Sequence, residues 1–152
     1  MNLIFRDATE TDLPQLVEML EDDFLAKGRE DLSIPLNPAY LEFLERVSKN
    51  PDIRLIAVAL EHELVGMLQI TFIPQFHYIG SWTCELECVR VSSQRRGQGI
   101  GGKMLHWSIE QARKRGCRSV QLTTNLSRID AIRFYEKEGF AYSHAGMKFS
   151  IQ

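Results

Sequence analysis

The chain has 152 residues, enough for one domain with a sizeable core. Hydrophobic residues make up 44% and charged residues 25%, a balance typical of soluble globular proteins, and no apolar run reaches the roughly 18 residues that a membrane span needs. The first residues are soon followed by acidic ones, which is unlike a secretory signal. The odd number of cysteines, three, argues against a disulfide framework. We therefore expect a single cytoplasmic domain over residues 1–152, with no membrane or nucleic-acid partner.

A strand, two helices and a hairpin are predicted for the first half of the chain. Residues 3–8 are typical of a strand, and Thr9 to Asp12 fits a capping box before a run of apolar residues at helical spacing. That run consists of Leu13, Leu16, Val17, Leu20 and Phe24. Asn37 and Pro38 form a sound start for a second helix. Two apolar, partly β-branched runs at 54–60 and 64–72 then indicate a hairpin.

The second half alternates strands with helices. Residues 83–91 and 119–124 predict a fourth and a fifth strand. Residues 101–115 and 129–138 predict helices, ended by Gly116 and Gly139. Residues 140–142 and 147–151 predict a closing hairpin. The order indicates an α/β or α+β fold, with a mixed, mostly antiparallel sheet of about seven strands flanked by helices.

Charge is distributed unevenly along the chain, although the formal net charge is only −2. Residues 1–32 carry nine acids against three bases, and residues 89–118 carry eight bases against one acid. A basic segment around glycines suits a phosphorylated ligand. The acidic segment is either a solvated face or a surface for a cationic molecule, and the sequence favours the first interpretation.

The glycine-rich stretch at 94–103 indicates a phosphate or pyrophosphate site. Its four glycines fall within six residues, between a predicted strand and a predicted helix, and they are Gly97, Gly99, Gly101 and Gly102. Glycine permits positive φ and close approach of a ligand, and the amides at a helix N-terminus point at an anion. A tight turn alone would need one such glycine.

Two nucleotide-binding motifs match this stretch in part. A P-loop NTPase needs Ser or Thr after Lys103 to hold magnesium, but this chain has Met104. A dinucleotide-binding fold needs an acidic residue at the end of the next strand, but that strand ends in Leu-Thr-Thr-Asn, closing at Asn125. Both interpretations are therefore disfavoured.

The third interpretation is a coenzyme A cradle. Gln94-Arg-Arg-Gly97-Gln-Gly99 resembles the Q/R-x-x-G-x-G/A motif of the GNAT superfamily of N-acetyltransferases, in which it also follows a strand and opens a helix. Residues 131–140, Ala-Ile-Arg-Phe-Tyr-Glu-Lys-Glu-Gly-Phe, resemble that family's second signature. The element order is similar along nearly the whole chain. The resemblance implies an acetyl-CoA-dependent acyltransferase of GNAT fold, with no metal, that acetylates a primary amine.

The resemblance also assigns residues to acetyl-CoA. They are Val89, Arg90, Val91, Gln94, Arg95, Arg96, Gly97, Gln98, Gly99, Ile100, Gly101, Gly102, Asn125, Arg128 and Tyr135. Many family members carry Asn three residues before the helix alanine, where it contacts the pantetheine arm. This chain has Arg128 there and Asn125 three residues earlier, so the pantetheine contact falls to one or the other.

Three residues are candidates for catalysis. Glu85 and Glu87 lie on the fourth strand, and period-two alternation predicts that they share a face with Val89 and Val91. Either carboxylate suits a general base for the amine, directly or through water, unless both are solvated or salt-bridged. The resemblance favours Glu85 and assigns to Tyr135 the role of proton donor to the departing thiolate. The resemblance also implies that a backbone N–H near Val89 stabilises the thioester carbonyl.

The remaining candidates concern metals and the acceptor. Histidines and cysteines lack metal-ligand spacing, and Cys84 and Cys88 are expected to be buried thiols on the face opposite the glutamates. The aromatic loop at 73–80 either shapes the acceptor pocket or forms a contact in a homodimer. The sequence predicts a small-molecule amine as acceptor. The alternatives are a protein N-terminus, a lysine, or CoA binding without catalysis.

Overall fold

The computed structural model describes all 152 residues, which form two compact units, residues 1–121 and residues 122–152. The strands are β1 (Leu3–Asp7), β2 (Ile53–Leu60), β3 (Glu63–Pro74), β4 (Trp82–Val91) and β5 (Cys117–Leu122). The helices are α1 (Leu13–Glu21), α2 (Pro38–Ser48), the single turn α3 (His77–Gly80), α4 (Ile100–Arg115) and α5 (Ile129–Lys137).

One sheet with the strand order β1-β2-β3-β4-β5 forms the centre of the first unit. The first four strands pair antiparallel in sequence order. The hydroxyls of Thr83 and Ser119 lie 3.5 Å apart, and Gln121 donates to Glu85 at 2.9 Å. Both contacts advance in the same direction along the two strands, so β5 runs parallel to β4. The mixed, mostly antiparallel sheet flanked by helices is the predicted fold class.

Helices cover both faces of this sheet, which explains why β2 and β3 read as continuous apolar runs. On one face α1 packs against side chains of β2 and β3 that point to that face. The buried cluster between them consists of Ala8, Leu13, Leu16, Met19, Leu55, Ala57, Ala59, Leu64 and Met67. On the other face α4 packs against β3 and β4. That approach is close, because a Cβ added at Gly66 would lie 2.9 Å from the sulfur of Met104.

The predicted capping box fixes the 3-10 turn at Glu10–Asp12, which leads directly into α1. The Asp12 carboxylate accepts from the Thr9 amide at 2.8 Å and from the Thr9 hydroxyl at 3.0 Å. It also accepts two hydrogen bonds from the Arg6 guanidinium, at 2.6 and 2.8 Å. The Arg6 bonds, followed by those from Thr9, lower the pKa of Asp12 to about 2, against the opposing effect of its burial.

We expect Asp12→Asn to lower the free energy of unfolding by about 2 kcal/mol at pH 7. The pKa is lower in the folded protein than in the unfolded chain, so the ionised carboxylate stabilises the fold above about pH 4. That stabilisation disappears as the pH falls through about 2. Denaturant unfolding between pH 7 and pH 2.5 measures this dependence.

Asp7→Asn is the matched control for this prediction. Asp7 lies on the same strand as Arg6 and pairs with Arg54 at 2.8 Å, but its side chain is 67% exposed. Exposed pairs contribute about 0–1 kcal/mol, so we expect this variant to lose little at any pH. A pH-independent loss in Asp12→Asn would show that the ionised carboxylate is not the source of the stability.

The fourth strand departs from regular alternation at Cys88. This residue has φ of 52°, and the register with β3 shifts between Met67, opposite Arg90, and Gln69, opposite Glu87. Two residues of β4 therefore oppose one of β3, which is a β-bulge. The prediction that Val89 and Val91 share the face of the glutamates is wrong, because the bulge inserts one residue between them. For the same reason the prediction that Cys88 lies opposite the glutamates is wrong: Cys88 is on their side of the sheet and packs against the α1-side cluster.

The C-terminal residues also differ from the prediction. The expected strands at 140–142 and 147–151 are absent, so the sheet has five strands and not about seven. Met147, Phe149 and Ile151 have the alternation of a strand but are 91–94% exposed. Alternating apolar residues predict a strand with one buried face, but in the structure no neighbouring strand covers these three side chains. Phe24, expected in the first helix, lies beyond the end of α1 and is 83% exposed.

Candidate cofactor and active site

The glycine-rich loop connects β4 to α4 in the conformation that its sequence suggests. Gly97 and Gly99 both have φ of 78°, and Gly99 is the N-cap of α4. A Cβ built on either glycine would meet no atom within 4 Å. The glycines are therefore required by backbone conformation and not by crowding from the protein. The space in front of the loop is open to a ligand.

The amides behind this open space belong to the first turn of α4, whose N–H groups have no partner within the helix. Ile100 is 1% exposed and fixes that turn to the core. This turn begins a 16-residue helix, and the helix dipole favours an anion at this end. Open backbone amides, two left-handed glycines and the helix dipole together suit the pyrophosphate of a cofactor such as coenzyme A.

Both arginines of the motif are held by other parts of the first unit. Arg95 pairs with Glu63 at the start of β3, at 3.1 Å from its Nε, and this bond lowers the pKa of Glu63. Arg96 donates to the carbonyls of Val91 at 3.2 Å and Asp22 at 3.1 Å. The predicted cofactor-binding guanidiniums therefore lie beside the loop with partners already in place.

Arg90 links the bulge of β4 to the end of α1. Its Nη1 donates to the Val89 carbonyl at 2.9 Å, and its Nη2 lies 3.5 Å from the Asp23 carboxylate. The Asp23 side chain is 9% exposed and that of Arg90 is 24% exposed. This pair fixes the chain at the position where β4 separates from regular pairing with β3.

Glu85 and Glu87 share a face, as predicted, and each carboxylate accepts from a glutamine on a neighbouring strand. Gln121 Nε2 donates to Glu85 at 2.9 Å, and Gln69 Nε2 donates to Glu87 at 3.0 Å. Neither carboxylate has an arginine or lysine partner among the ion pairs of the structure. Opposite Glu85, the hydroxyl of Thr71 is buried without a hydrogen-bond partner. Glu85 is half-buried and Glu87 exposed.

The surroundings of the three cysteines disfavour the thiolate. Burial raises the pKa of Cys84 to about 12 and raises the pKa values of Cys88 and Cys117. Thiolates are the reactive form of cysteine, so these residues are poor nucleophiles.

No group of three or more His, Cys, Asp or Glu side chains is arranged to hold a metal ion. None of the helices has the length and apolar composition of a membrane span.

The second unit carries the remaining predicted residues. Asn125 accepts through its Oδ1 from the amide of Ser127 at 2.9 Å and from its hydroxyl at 2.7 Å. Arg128 is the N-cap of α5, and Tyr135 lies half-buried on that helix. The Tyr135 ring stands 5.3 Å from that of Phe134 and contacts Phe140 edge-on at 5.9 Å. Their assignment to acetyl-CoA stays a prediction.

The aromatic loop between β3 and β4 presents apolar side chains to solvent. Phe76 and Ile79 are fully exposed, whereas Tyr78 stacks under the guanidinium of Arg118 at 3.4 Å. Tyr78 and Ile79 have φ of 50° and 62°, an unusual conformation for residues other than glycine. The two interpretations of this loop, acceptor pocket or dimer contact, both stay predictions.

Sequence reasoning missed the partners of the candidate residues. Gln69 and Gln121 donate to the two carboxylates. Asp22 pairs with Arg96, and Asp23 pairs with Arg90. Only the acidic bias of residues 1–32 hinted at the second set. The glutamines gave no signal, because a polar residue on a strand is ordinary until its neighbour across the sheet is known.

Comparisons with known proteins identify the family of this chain. The sequence matches the Acetyltransferase (GNAT) family over residues 13–140. It is 36% identical over 96 residues to the aminoalkylphosphonate N-acetyltransferase of Salmonella typhimurium, covering 62% of this chain and 61% of that protein. The chain thus spans less than two thirds of that relative's length.

Solved structures share the fold over almost the full chain. One is described as a transcriptional regulator from Bacillus halodurans C-125, with 45% identity, a TM-score of 0.94, and coverage of 99% of this chain and 100% of that one. Another, at 18% identity, is glucosamine-6-phosphate N-acetyltransferase from Arabidopsis thaliana, with a TM-score of 0.79 and full coverage of both chains. Because the family match extends over most of the sequence, the chain belongs to the GNAT acetyltransferase family.

Proposed function

We propose that this protein transfers an acetyl group from acetyl-CoA to the primary amine of a small molecule by direct attack. The observation that carries the proposal is the loop from β4 to α4. Its two left-handed glycines face open space at the N-terminus of a 16-residue helix. Family membership supports acetyl-CoA as the occupant. Arg96 and the amides of the first helical turn then bind the pyrophosphate.

Acetyl transfer needs a neutral amine, a stabilised carbonyl oxygen and a protonated leaving thiol. The bulge in β4 supports the second requirement, since the extra residue in a bulge leaves backbone groups outside the ladder. The N–H of Val89 is our candidate donor to the carbonyl oxygen. Glu85, or failing it Glu87, accepts the proton of the amine through water, and Tyr135 protonates the thiolate.

Glu85 is the stronger candidate base because it is half-buried and has no cationic partner. Glu85→Gln should lower kcat/KM at pH 7 and recover partly at high pH, where more of the amine is already neutral. The substitution preserves size and only changes the charge opposite Gln121. Glu87→Gln is the matched variant on the same face, and it should have the smaller effect. Unchanged pH–rate profiles in both would remove the carboxylates from the mechanism.

Acetyl-CoA-dependent thiol release with a panel of amines tests the proposed function. The panel should contain aminoalkylphosphonates, because a relative is named for them, together with amino sugars, polyamines, and peptides with a free N-terminus or lysine. Steady release with a small amine supports the proposal. Release only with peptides favours a protein acceptor, and tight acetyl-CoA binding without release with any amine favours a non-catalytic CoA-binding protein.

A further inference from the structure

A contact between the cofactor loop and the end of α1 is independent of the chemistry proposed above. Nη2 of Arg96 donates to the backbone carbonyl of Asp22 at 3.1 Å and lies 3.8 Å from the Asp22 carboxylate. Asp22 is the first residue after α1 and begins the segment 22–37 that leads to α2. One guanidinium therefore joins a candidate pyrophosphate site to that segment.

The neighbouring pair is better protected. Asp23 pairs with Arg90 with its side chain 9% exposed, whereas the side chains of Asp22 and Arg96 are 55% and 53% exposed. A buried pair is costly to break because it leaves an uncompensated charge. An exposed pair contributes little and exchanges easily. Of these two ion pairs, the one through Arg96 is therefore the easier to exchange.

We propose that Asp22 is an internal competitor of the cofactor's pyrophosphate for the Arg96 guanidinium, so that cofactor binding releases the start of segment 22–37. The proposal rests on the proposed binding of CoA at this loop. A pyrophosphate brings more negative charge than one carboxylate and accepts several hydrogen bonds from a guanidinium. In the free protein the Asp22 carboxylate neutralises part of the charge that the pyrophosphate needs.

The direction of the change in CoA affinity distinguishes competition by Asp22 from a role in holding the loop in its binding conformation. If Asp22 competes, Asp22→Asn should tighten CoA binding by roughly two- to five-fold at low ionic strength, the range that an exposed ion pair allows. If Asp22 instead holds the loop in its binding conformation, the same variant should weaken CoA binding. Isothermal titration with CoA measures the dissociation constant directly.

A double-mutant cycle with Arg96→Ala isolates the proposed competition. Removing a negative charge near a pyrophosphate favours binding through space even without Arg96, so the cycle compares Asp22→Asn in both backgrounds. We expect the gain to vanish largely when Arg96 is absent. Glu18→Gln, an exposed acid one turn earlier on α1, controls for general charge and should leave the dissociation constant unchanged. An equal gain in both backgrounds would overturn the competition.

Hydrogen exchange on the unmodified protein provides a second measurement. Saturating CoA should speed amide exchange at Asp22, whose contacts to Arg96 are lost, and slow it in residues 99–102. Slower or unchanged exchange at Asp22, with protection at 99–102, would overturn the inference and leave the proposed function intact. No protection at 99–102 and no titratable CoA binding would remove the proposed function itself.

Discussion

Gly99→Val is expected to abolish acetyl-CoA binding while the protein stays folded. Gly99 has φ of 78°, and the position of a Cβ there is open space directly before the first turn of α4. A valine side chain would occupy the position of the pyrophosphate and shield the helix amides. Losing two charge-assisted hydrogen bonds of about 1.5–3 kcal/mol each weakens binding by roughly a hundredfold or more. Isothermal titration with acetyl-CoA is the measurement.

The same helix supplies a matched control for the backbone strain of this variant. Gly116, at the C-cap of α4, has φ of 79° and also has open space around its Cβ position. Gly116→Val should lose a comparable 1–3 kcal/mol or so of stability, because both valines are forced into the left-handed region. It should bind acetyl-CoA normally. Normal binding by Gly99→Val would show that the loop is not the pyrophosphate site.

The parts of the fold that the sequence predicts are those decided by local interactions. The capping box needs only Thr9 and Asp12, three residues apart, and the helix ends at Gly116 and Gly139 need only a left-handed glycine. The conformation of the loop at 97–99 is likewise a property of its glycines. These features depend only on residues close in sequence, so the motif predicts the local structure.

The bulge at Cys88 shows where local reasoning stops. Strict alternation predicted one face for the glutamates and the following valines, but the strand inserts an extra residue at φ of 52°. Nothing in the residues themselves requires this, since cysteine has no preference for the left-handed region. The bulge is fixed by the register of β4 on β3, which depends on residues about twenty positions away.

The candidate site was predictable in its main-chain elements and not in its side-chain pairs. Arg95 and Arg96 were predicted to bind the cofactor. In the structure Arg96 contacts Asp22, 74 residues earlier in the chain, and Arg95 contacts Glu63. Such pairs depend on which elements pack together, and composition reveals only an acidic and a basic segment. The same limit applied to the glutamines beside Glu85 and Glu87.

Tyr135→Phe is the substitution with the largest expected effect on turnover. If Tyr135 protonates the departing thiolate, losing its hydroxyl should lower kcat by roughly ten- to a thousand-fold, the usual weight of general acid catalysis. Phenylalanine keeps the ring that packs against Phe134 and Phe140. Melting temperature and acetyl-CoA affinity should therefore stay near those of the unmodified protein, and the loss should be confined to kcat.

The competing explanation is that Tyr135 is an aromatic packing residue on α5, where it is half-buried between two other rings. Packing predicts the opposite ranking of variants: Phe is tolerated with full activity, and only Tyr135→Ala is harmful, because it removes the ring. Tyr142→Phe, which deletes a phenol that is 65% exposed in the same unit, controls for the loss of any hydroxyl and should leave kcat unchanged. Steady-state kinetics with the best amine of the panel decides between them, since unmodified kcat in Tyr135→Phe is compatible with packing alone.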